Sequence, residues 1–384
     1  MSKSRKILGK GTFGCVMQPE IPCGNKQKSG NADKVSKLIM PKNVNSKNIK
    51  RYMKYFKYEI EIAKKLKKID PNNVYFLGGE DFCILQESKI TDPDIKNDIK
   101  NCLHHDEKIK IKRGKDNDYI FNIPMKFAQP LLPEIAPMLR NSSKIMYMFA
   151  HVVSAVQKIV QHTSFLFMDI KLENILLNFQ PTKNDIDYVH PVLIDFTPDH
   201  IINTGYYNFA RYVSSFETFY QDPWSPETLF AILEHVHTNA SERKIANMVI
   251  ETQQKKYAKL PKKIQKQIEV FGNAKKAFQS ILNSKKTYID AAISTGSAPK
   301  FVRERIMLWE VGNMLLPWIP KKLKFTDAPK EVFNGYLNIL LRLVSLKLNE
   351  RPSCSVVLRE INSLLDIPQN TVKNTKYMLQ LVPM

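Results

Sequence analysis

The chain lacks any apolar run of the ~18 residues that a membrane-spanning helix requires. Its opening, MSKSRKILGK, has no apolar core of signal-peptide length. These two absences lead to the expectation of a soluble, cytoplasmic protein with no membrane partner. Cysteine is scarce and scattered: Cys15, Cys23, Cys83, Cys102 and Cys354 form no CxxC pair and have no histidine at metal-ligand spacing. That pattern argues against structural zinc and makes a reducing compartment the natural expectation. Internal repeats are also missing.

Acidic residues are short in two regions. Residues 1–68 carry 18 basic and 4 acidic side chains, and residues 241–305 carry 15 and 5, within a total of 58 Lys+Arg against 37 Asp+Glu and a net charge of +21. The rest of the chain is close to neutral. Two basic blocks attract polyanions such as nucleic acid or acidic protein, although a lysine-rich solvated surface accounts for them equally well. Charge alone therefore names no function. With 43% hydrophobic and 10% aromatic residues in 384, the chain buries a large core, as one two-lobed domain or two ordinary ones.

Short apolar runs alternate with turn residues at the start: KILGKGTFGCVM, KVSKLIM, VYFLGG, DFCILQ and, later, DYIFNIPM. They predict strands of an antiparallel sheet. Between them Tyr52, Phe56, Ile60, Ala63 and Leu66 recur at helical spacing, so one helix interrupts the sheet. Residues 86–118 are polar and read as an inserted excursion. From about Pro133 the pattern is helical, and KIMYMFAHVVSAVQKIV is apolar on more than one face, as a buried helix is. Residues from Pro226 to about Arg305 read as helices without good apolar stripes; LWEVGNMLLPWI and GYLNILLRLVSLKL resume strongly apolar ones.

Several constellations carry chemistry. Gly9-x-Gly11-x-x-Gly14-x-Val16 is a glycine-rich turn. A dinucleotide site would need a helix to follow, but Cys15, Val16 and Met17 stay strand-like and Pro19 and Pro22 come soon after. The alternatives are a hairpin whose backbone N–H groups cover phosphates and a simple tight turn. Lys37, central in the strand KVSKLI, is costly unless it meets phosphate or carboxylate; Glu61, with Glu59 second, is the candidate acid. FLFMDIKLENILLN interrupts an apolar run with Asp169, Lys171, Glu173 and Asn174, a grouping that needs a cleft. PVLIDFT sets Asp195 at the end of another apolar run. Asn174 and Asp195 are oxygen donors suited to Mg²⁺ on phosphates, leaving Asp169 to orient a hydroxyl and Lys171 to neutralise phosphoryl charge. For any one of these charges taken singly, a solvated face is the plainer account.

In this order GKGTFGCV, VSK, FMDIKLENIL and IDFT resemble the signature set of eukaryotic-type serine/threonine protein kinases. Ser225-Pro226-Glu227 resembles the Ala-Pro-Glu element, and Glu350-Arg351-Pro352-Ser353 a late arginine motif. YFLGG and FMDIKLEN are in the style of kinases of large nucleocytoplasmic DNA viruses. The resemblance implies an α+β, bilobal protein-kinase-like fold. Residues 1–128 would form a small antiparallel lobe with one main helix, and residues 129–384 a larger helical lobe with a basic insert over about 228–305. It implies ATP and Mg²⁺, with Gly9, Gly11, Gly14 and Val16 over the nucleotide, Lys37 on its phosphates, and Glu61 as the lysine's partner. Glu61 is preferred to Glu59 by its spacing to Asp70-Pro71-Asn72, which is similar to His-Pro-Asn. Asp169 would be the catalytic base with Lys171 beside it, Asn174 and Asp195 the metal ligands, and Glu227–Arg351 a buried ion pair. Proteins with Ser or Thr hydroxyls would be the substrates; in a viral setting the site of action would be the virus factory or virion.

Four departures from that family stand out. Phe167-Met168 replaces His-Arg before the catalytic aspartate, so a phosphate at Ser214, Ser215 or Thr218 would lack its usual partner. Thr197 stands where glycine follows Asp-Phe. Met307 falls where an aspartate normally braces the catalytic loop, with Asp290 a less well-spaced substitute, and the segment before that helix is extended. An ATP-binding pseudokinase scaffold, a small-molecule or lipid kinase and a basic nucleic-acid or virion-associated interaction protein are the competing readings.

Overall fold

The structure, a computed structural model, describes residues 5–11, 14–23, 31, 33–41, 44–45, 47–104, 119–131, 142–180, 188–196, 201–203, 225–237, 239–287, 299–318 and 328–365. The chain divides into two compact units: Met1–Gln129 with Ile194–Pro198, and Pro130–Leu193 with Asp199–Met384. The expected boundary at 128/129 did not foresee that residues 194–198 belong with the N-terminal unit.

The first unit is built on a five-stranded antiparallel sheet of order β1-β2-β3-β5-β4. Its strands are β1 (Lys6–Gly11), β2 (Gly14–Gln18), β3 (Lys34–Ile39), β4 (Cys83–Gln86) and β5 (Tyr119–Lys126). Helix α1 (Ile49–Ile69) follows β3 and buries Phe56, Glu59, Ile60, Ile62, Ala63 and Leu66. Its Phe56 and Ile60 join Phe121 and Ile123 of β5 in one cluster. Ile120 of the same strand belongs to a second cluster with Cys15, Met17 and Leu38, and with Ile95, Ile99 and Cys102 of helix α2 (Pro93–His104). Successive strand residues face opposite ways, so α1 and α2 cover opposite faces of the sheet.

Three expectations change here. The first half of the polar segment 86–118 is not an excursion: Ile95, Ile99 and Cys102, at i, i+4 and i+7, turn α2 onto the sheet although both isoleucines are flanked by charged residues. Residues 105–118 lie outside the described set. VYFLGG forms no sheet strand, because the buried Asp70 carboxylate takes its backbone N–H groups instead: Val74, Tyr75 and Phe76 donate to it at 2.9, 2.7 and 2.9 Å. Finally, Cys15 is bonded to Cys102 and Cys23 to Cys83. These disulfides remove the unpaired cysteines on which the reducing-compartment expectation rested; Cys15 and Cys102, distant in sequence, are neighbours once α2 lies on β2. Cys354 is free and buried.

The second unit is mainly helical. Its centre is helix α3 (Ser142–His162), buried on nearly every side from Ser142 to Val160. It packs against β9 (Tyr188–Leu193) and against helices α8 (Lys300–Leu315) and α10 (Cys354–Leu365). Between the unit boundary and these elements lie a two-residue strand β6 (Gln129–Pro130), β7 (Phe165–Phe167), β8 (Ile175–Gln180) and β10 (Ile201–Asn203). β8 and β9 form an antiparallel hairpin, and β7 pairs antiparallel with β10. Helices α4 (Pro226–Val236), α5 (Glu242–Tyr257), α6 (Lys262–Gln265), α7 (Ala274–Lys285) and α9 (Lys330–Leu343) complete it. The helices of the basic insert do have buried faces: Ile245, Ala246, Val249, Ile250, Gln253 and Tyr257 on α5, and Ala277, Ser280, Ile281 and Ser284 on α7. The expectation of helices without good apolar stripes therefore fails for α5, whereas the face of α7 mixes Ala277 and Ile281 with two serines. Among the described residues no helix is long and apolar enough to cross a membrane.

Candidate functional site

In the first unit, strand pairing sets Lys37 opposite Val16 of β2 and Ile123 of β5. That register turns it to the face that α1 covers. Its Nζ donates to Glu59 Oε1 at 2.9 Å and to Asp195 Oδ1 at 2.7 Å. Burial disfavours the ammonium, but the Asp195 and Glu59 carboxylates outweigh it and hold the lysine's pKa above its ordinary value. Glu61 is not the partner. Glu59 shares the buried face of α1 with Phe56, Ile60, Ala63 and Leu66, whereas Glu61 is solvent-exposed. At 3.6 residues per turn, two positions rotate a side chain about 200° around the helix, so only one of the pair can meet the sheet.

Asp195 has φ 65°, in the left-handed region. Aspartate tolerates that conformation better than most residues, and the strain marks a backbone held by its surroundings. Its neighbour Phe196 meets Phe76 edge-on at 6.0 Å. Phe76 in turn is fixed through its N–H by Asp70. The glycines divide by role. A Cβ on Gly14 would fall 1.7 Å from the Leu38 carbonyl oxygen, so no other residue fits against β3 there. A Cβ on Gly9 would meet nothing within 4 Å. Gly9 pairs with Val16 and Gly11 with Gly14 across the hairpin, whose tip residues Thr12 and Phe13 lie outside the described set.

In the second unit, Asp169 follows β7 and is 1% exposed. Asn174 closes the turn Leu172–Asn174, and its Nδ2 donates to Asp169 Oδ2 at 2.6 Å and to the Asp169 carbonyl at 2.9 Å. Lys171 Nζ lies 2.8 Å from Asp169 Oδ1. Two residues within one short stretch, Asn174 and Lys171, thus hold both oxygens of the carboxylate. With its amide nitrogen committed, the Asn174 side-chain oxygen takes no hydrogen bond among the described residues. Asn174 and Asp195 both offer hard oxygen, the donor type Mg²⁺ prefers. Among the described residues no cluster of three or more His, Cys, Asp or Glu forms a ready-made metal cage.

Beneath this stretch, one face of α8 supports the chain from residue 163 to residue 170. Arg303 Nη1 donates to the carbonyls of Thr163 and Phe165 at 2.8 and 3.1 Å. Phe167 N lies 3.5 Å from Met307 Sδ, and Ile170 N donates to Glu310 Oε2 at 3.1 Å. Glu310 is fully buried; burial pushes its carboxyl well above the usual range, and the Asp169 charge adds to that while Lys256 and Lys171 oppose it. The expected pair of Glu227 and Arg351 forms at 2.7 Å with both side chains buried. Ser225 caps the helix that carries Glu227 by accepting the Thr228 N–H.

Sequence reading missed Glu59 as the lysine's partner and missed Glu310 altogether. The signal for the latter is a lone acid inside LWEVGNMLL, a helix otherwise apolar enough to be core. Thr197, Ser214, Ser215, Thr218 and Asp290 lie outside the described residues. No protein family and no curated protein matches the chain.

Proposed function

We propose that the chain is a bilobal protein kinase of the serine/threonine type, moving the γ-phosphoryl group of ATP to protein hydroxyls with Mg²⁺. The observation that carries this reading is Lys37, a half-buried cation held between Glu59 and the left-handed Asp195. A lysine set between two acids is pre-aimed, and nucleotide phosphates can exchange with one of its carboxylate contacts without moving the strand. Gly9, Gly11, Gly14 and Val16 belong to the hairpin that covers the nucleotide, where the open space at Gly9 leaves the backbone approachable.

Asp169 orients the acceptor hydroxyl and takes its proton; Lys171 neutralises charge on the moving phosphoryl group. Asn174 and Asp195 are the oxygen donors that would hold Mg²⁺, and the ion would offset the charge of the phosphates. The reaction requires both sets of groups to act on one nucleotide. Phosphoryl transfer asks little of a protein beyond position and charge, which these five groups (Lys37, Glu59, Asp169, Asn174 and Asp195) supply.

The test is label transfer from γ-labelled ATP to casein by the full chain, alongside Asp169→Asn. Label on Ser or Thr that vanishes in the variant is the expected result. No label from either protein in Mg²⁺ or Mn²⁺, with ATP still raising Tm, would replace this reading with the pseudokinase scaffold. For polyanion partners the supporting observation is Thr252–Ile268, which has exposed Lys255, Lys259, Lys262, Lys263 and Lys266 and no acid. Heparin retention that falls steeply with salt is expected for it; binding indifferent to salt would count against this partner class.

A further inference from the structure

Met307 stands where the resembled family places a bracing aspartate, and its thioether is only a weak acceptor for Phe167 N–H. One turn on, Glu310 offers a carboxylate. From the row Arg303, Met307, Glu310, the geometry points to Glu310 as a positioning residue for the phosphoryl transfer proposed above: by holding the Ile170 N–H, it fixes the backbone that aims Asp169. The inference rests on that reading of function and deepens it.

Stability alone gives Glu310 no reason to be acidic. It is 0% exposed, and its Oε1 is buried with no hydrogen-bond partner among the described residues. A buried carboxylate satisfied on one oxygen is worse for folding than a hydrocarbon of similar size. Its placement is also specific. Along 163–170 the contacts from α8 run from Thr163 and Phe165 through Phe167 to Ile170, so Glu310 meets the residue directly after Asp169. Asp169 itself is held from the other side by Asn174 and Lys171. Removing Glu310 leaves the side-chain contacts of Asp169 in place and loosens only the backbone beneath them.

The basic insert takes part in this support. Helix α5 ends with Lys256 Nζ 5.2 Å from the centre of the Trp309 ring, and with Tyr257 Oη donating to Asn313 Oδ1 at 2.8 Å. These contacts flank Glu310 on its own helix. Lys256 opposes the cost of its buried charge. The segment that looked like an addition to the chain therefore ends against the side chains that stabilise the catalytic stretch.

The experiment compares Glu310→Met and Glu310→Gln with the unaltered full chain in kcat, KM for ATP, Tm and hydrogen exchange of the Ile170 amide. For Glu310→Met the expected result is a kcat about tenfold to hundredfold lower, the loss of one hydrogen bond to a charged acceptor. KM for ATP is unchanged, Tm is held or raised, and the Ile170 amide exchanges faster. Glu310→Gln keeps an acceptor oxygen and recovers most of kcat. A kcat that falls only in step with Tm would overturn the inference, as would full activity in Glu310→Met. An unaltered protein that transfers no phosphate from ATP would sink the functional reading instead. Ile170 exchange then still decides whether Glu310 holds the loop: acceleration in Glu310→Met upholds it, and unchanged exchange refutes it.

Discussion

Lys37 and Lys171 each hold an acid, but in opposite ways. Lys37 gathers Glu59 from 22 residues away and Asp195 from 158 away, each carried by its own element. Lys171 holds Asp169 from two residues away, inside a turn closed by Asn174. The first arrangement exists only if a strand, a helix and a distant segment all reach their places. The second is largely local. An assembled group of this kind is sensitive to packing throughout its unit, while a contiguous one keeps its parts together and depends on what lies beneath it.

The widest separation between the two groups comes from their central residues. Asp169→Asn should lower transfer about 10²- to 10⁴-fold, the range of a lost general base, while ATP still raises Tm. Lys37→Met should abolish both transfer and the ATP-induced rise in Tm. If Asp169→Asn lost nucleotide binding as well, the division between assembled and contiguous groups would not be a division of labour. Next in size is Glu227→Ala. It breaks a buried pair formed across 124 residues and should cost about 3–5 kcal/mol, read as a large fall in the denaturant midpoint. A midpoint within error of the unaltered protein would show that long-range pairs in the second unit matter less than the burial of Arg351 implies.

A smaller effect sharpens the comparison within α1. Glu59→Gln should reduce kcat/KM about tenfold to hundredfold through a weakened hold on Lys37, whereas Glu61→Gln should leave it intact. Equal effects at both positions would contradict the face that α1 turns to the sheet. The smallest effect is a pH dependence. Glu310 has a folded-state pKa raised above its model-peptide value of 4.5, facing Asp169, Lys171 and Lys256. Its contribution to stability is then fully present below that value and is lost as pH rises through the folded pKa. The unaltered protein should therefore gain Tm relative to Glu310→Met as pH is lowered from neutral toward 4. A difference that shrinks in acid would reverse the sign of the argument.

The sequence showed most plainly what the chain keeps local. Asp169, Lys171 and Asn174 interrupt an apolar run, and the structure joins them as such an interruption requires. The glycine-rich hairpin and the strand around Lys37 were equally legible, since turn residues and alternation mark both. Choosing between Glu59 and Glu61 needed the phase of a helix against a sheet. Spacing to a later motif does not supply that phase; the run of Phe56, Ile60, Ala63 and Leu66 did, and it pointed to Glu59. Helix α2 was hidden because three apolar residues carry its buried face. In the insert, the stripe Ile245, Val249 and Ile250 of α5 is short and set among charged residues, and α7 buries two serines beside Ala277 and Ile281. Cysteine pairing depends on which elements touch, and spacing along the chain is silent on that.

The first unit is discontinuous, and this bears on the order in which a ribosome makes it. A chain halted after Gln129 already contains the five strands, α1, α2 and all four paired cysteines, with the 23–83 crosslink nested inside the 15–102 crosslink. Its Lys37 then has Glu59 but no Asp195, because residues 194–198 are translated only after α3 and the whole Asp169 stretch. The nascent protein thus receives the second acid of Lys37 last. Until then the lysine that organises the first unit is only half neutralised.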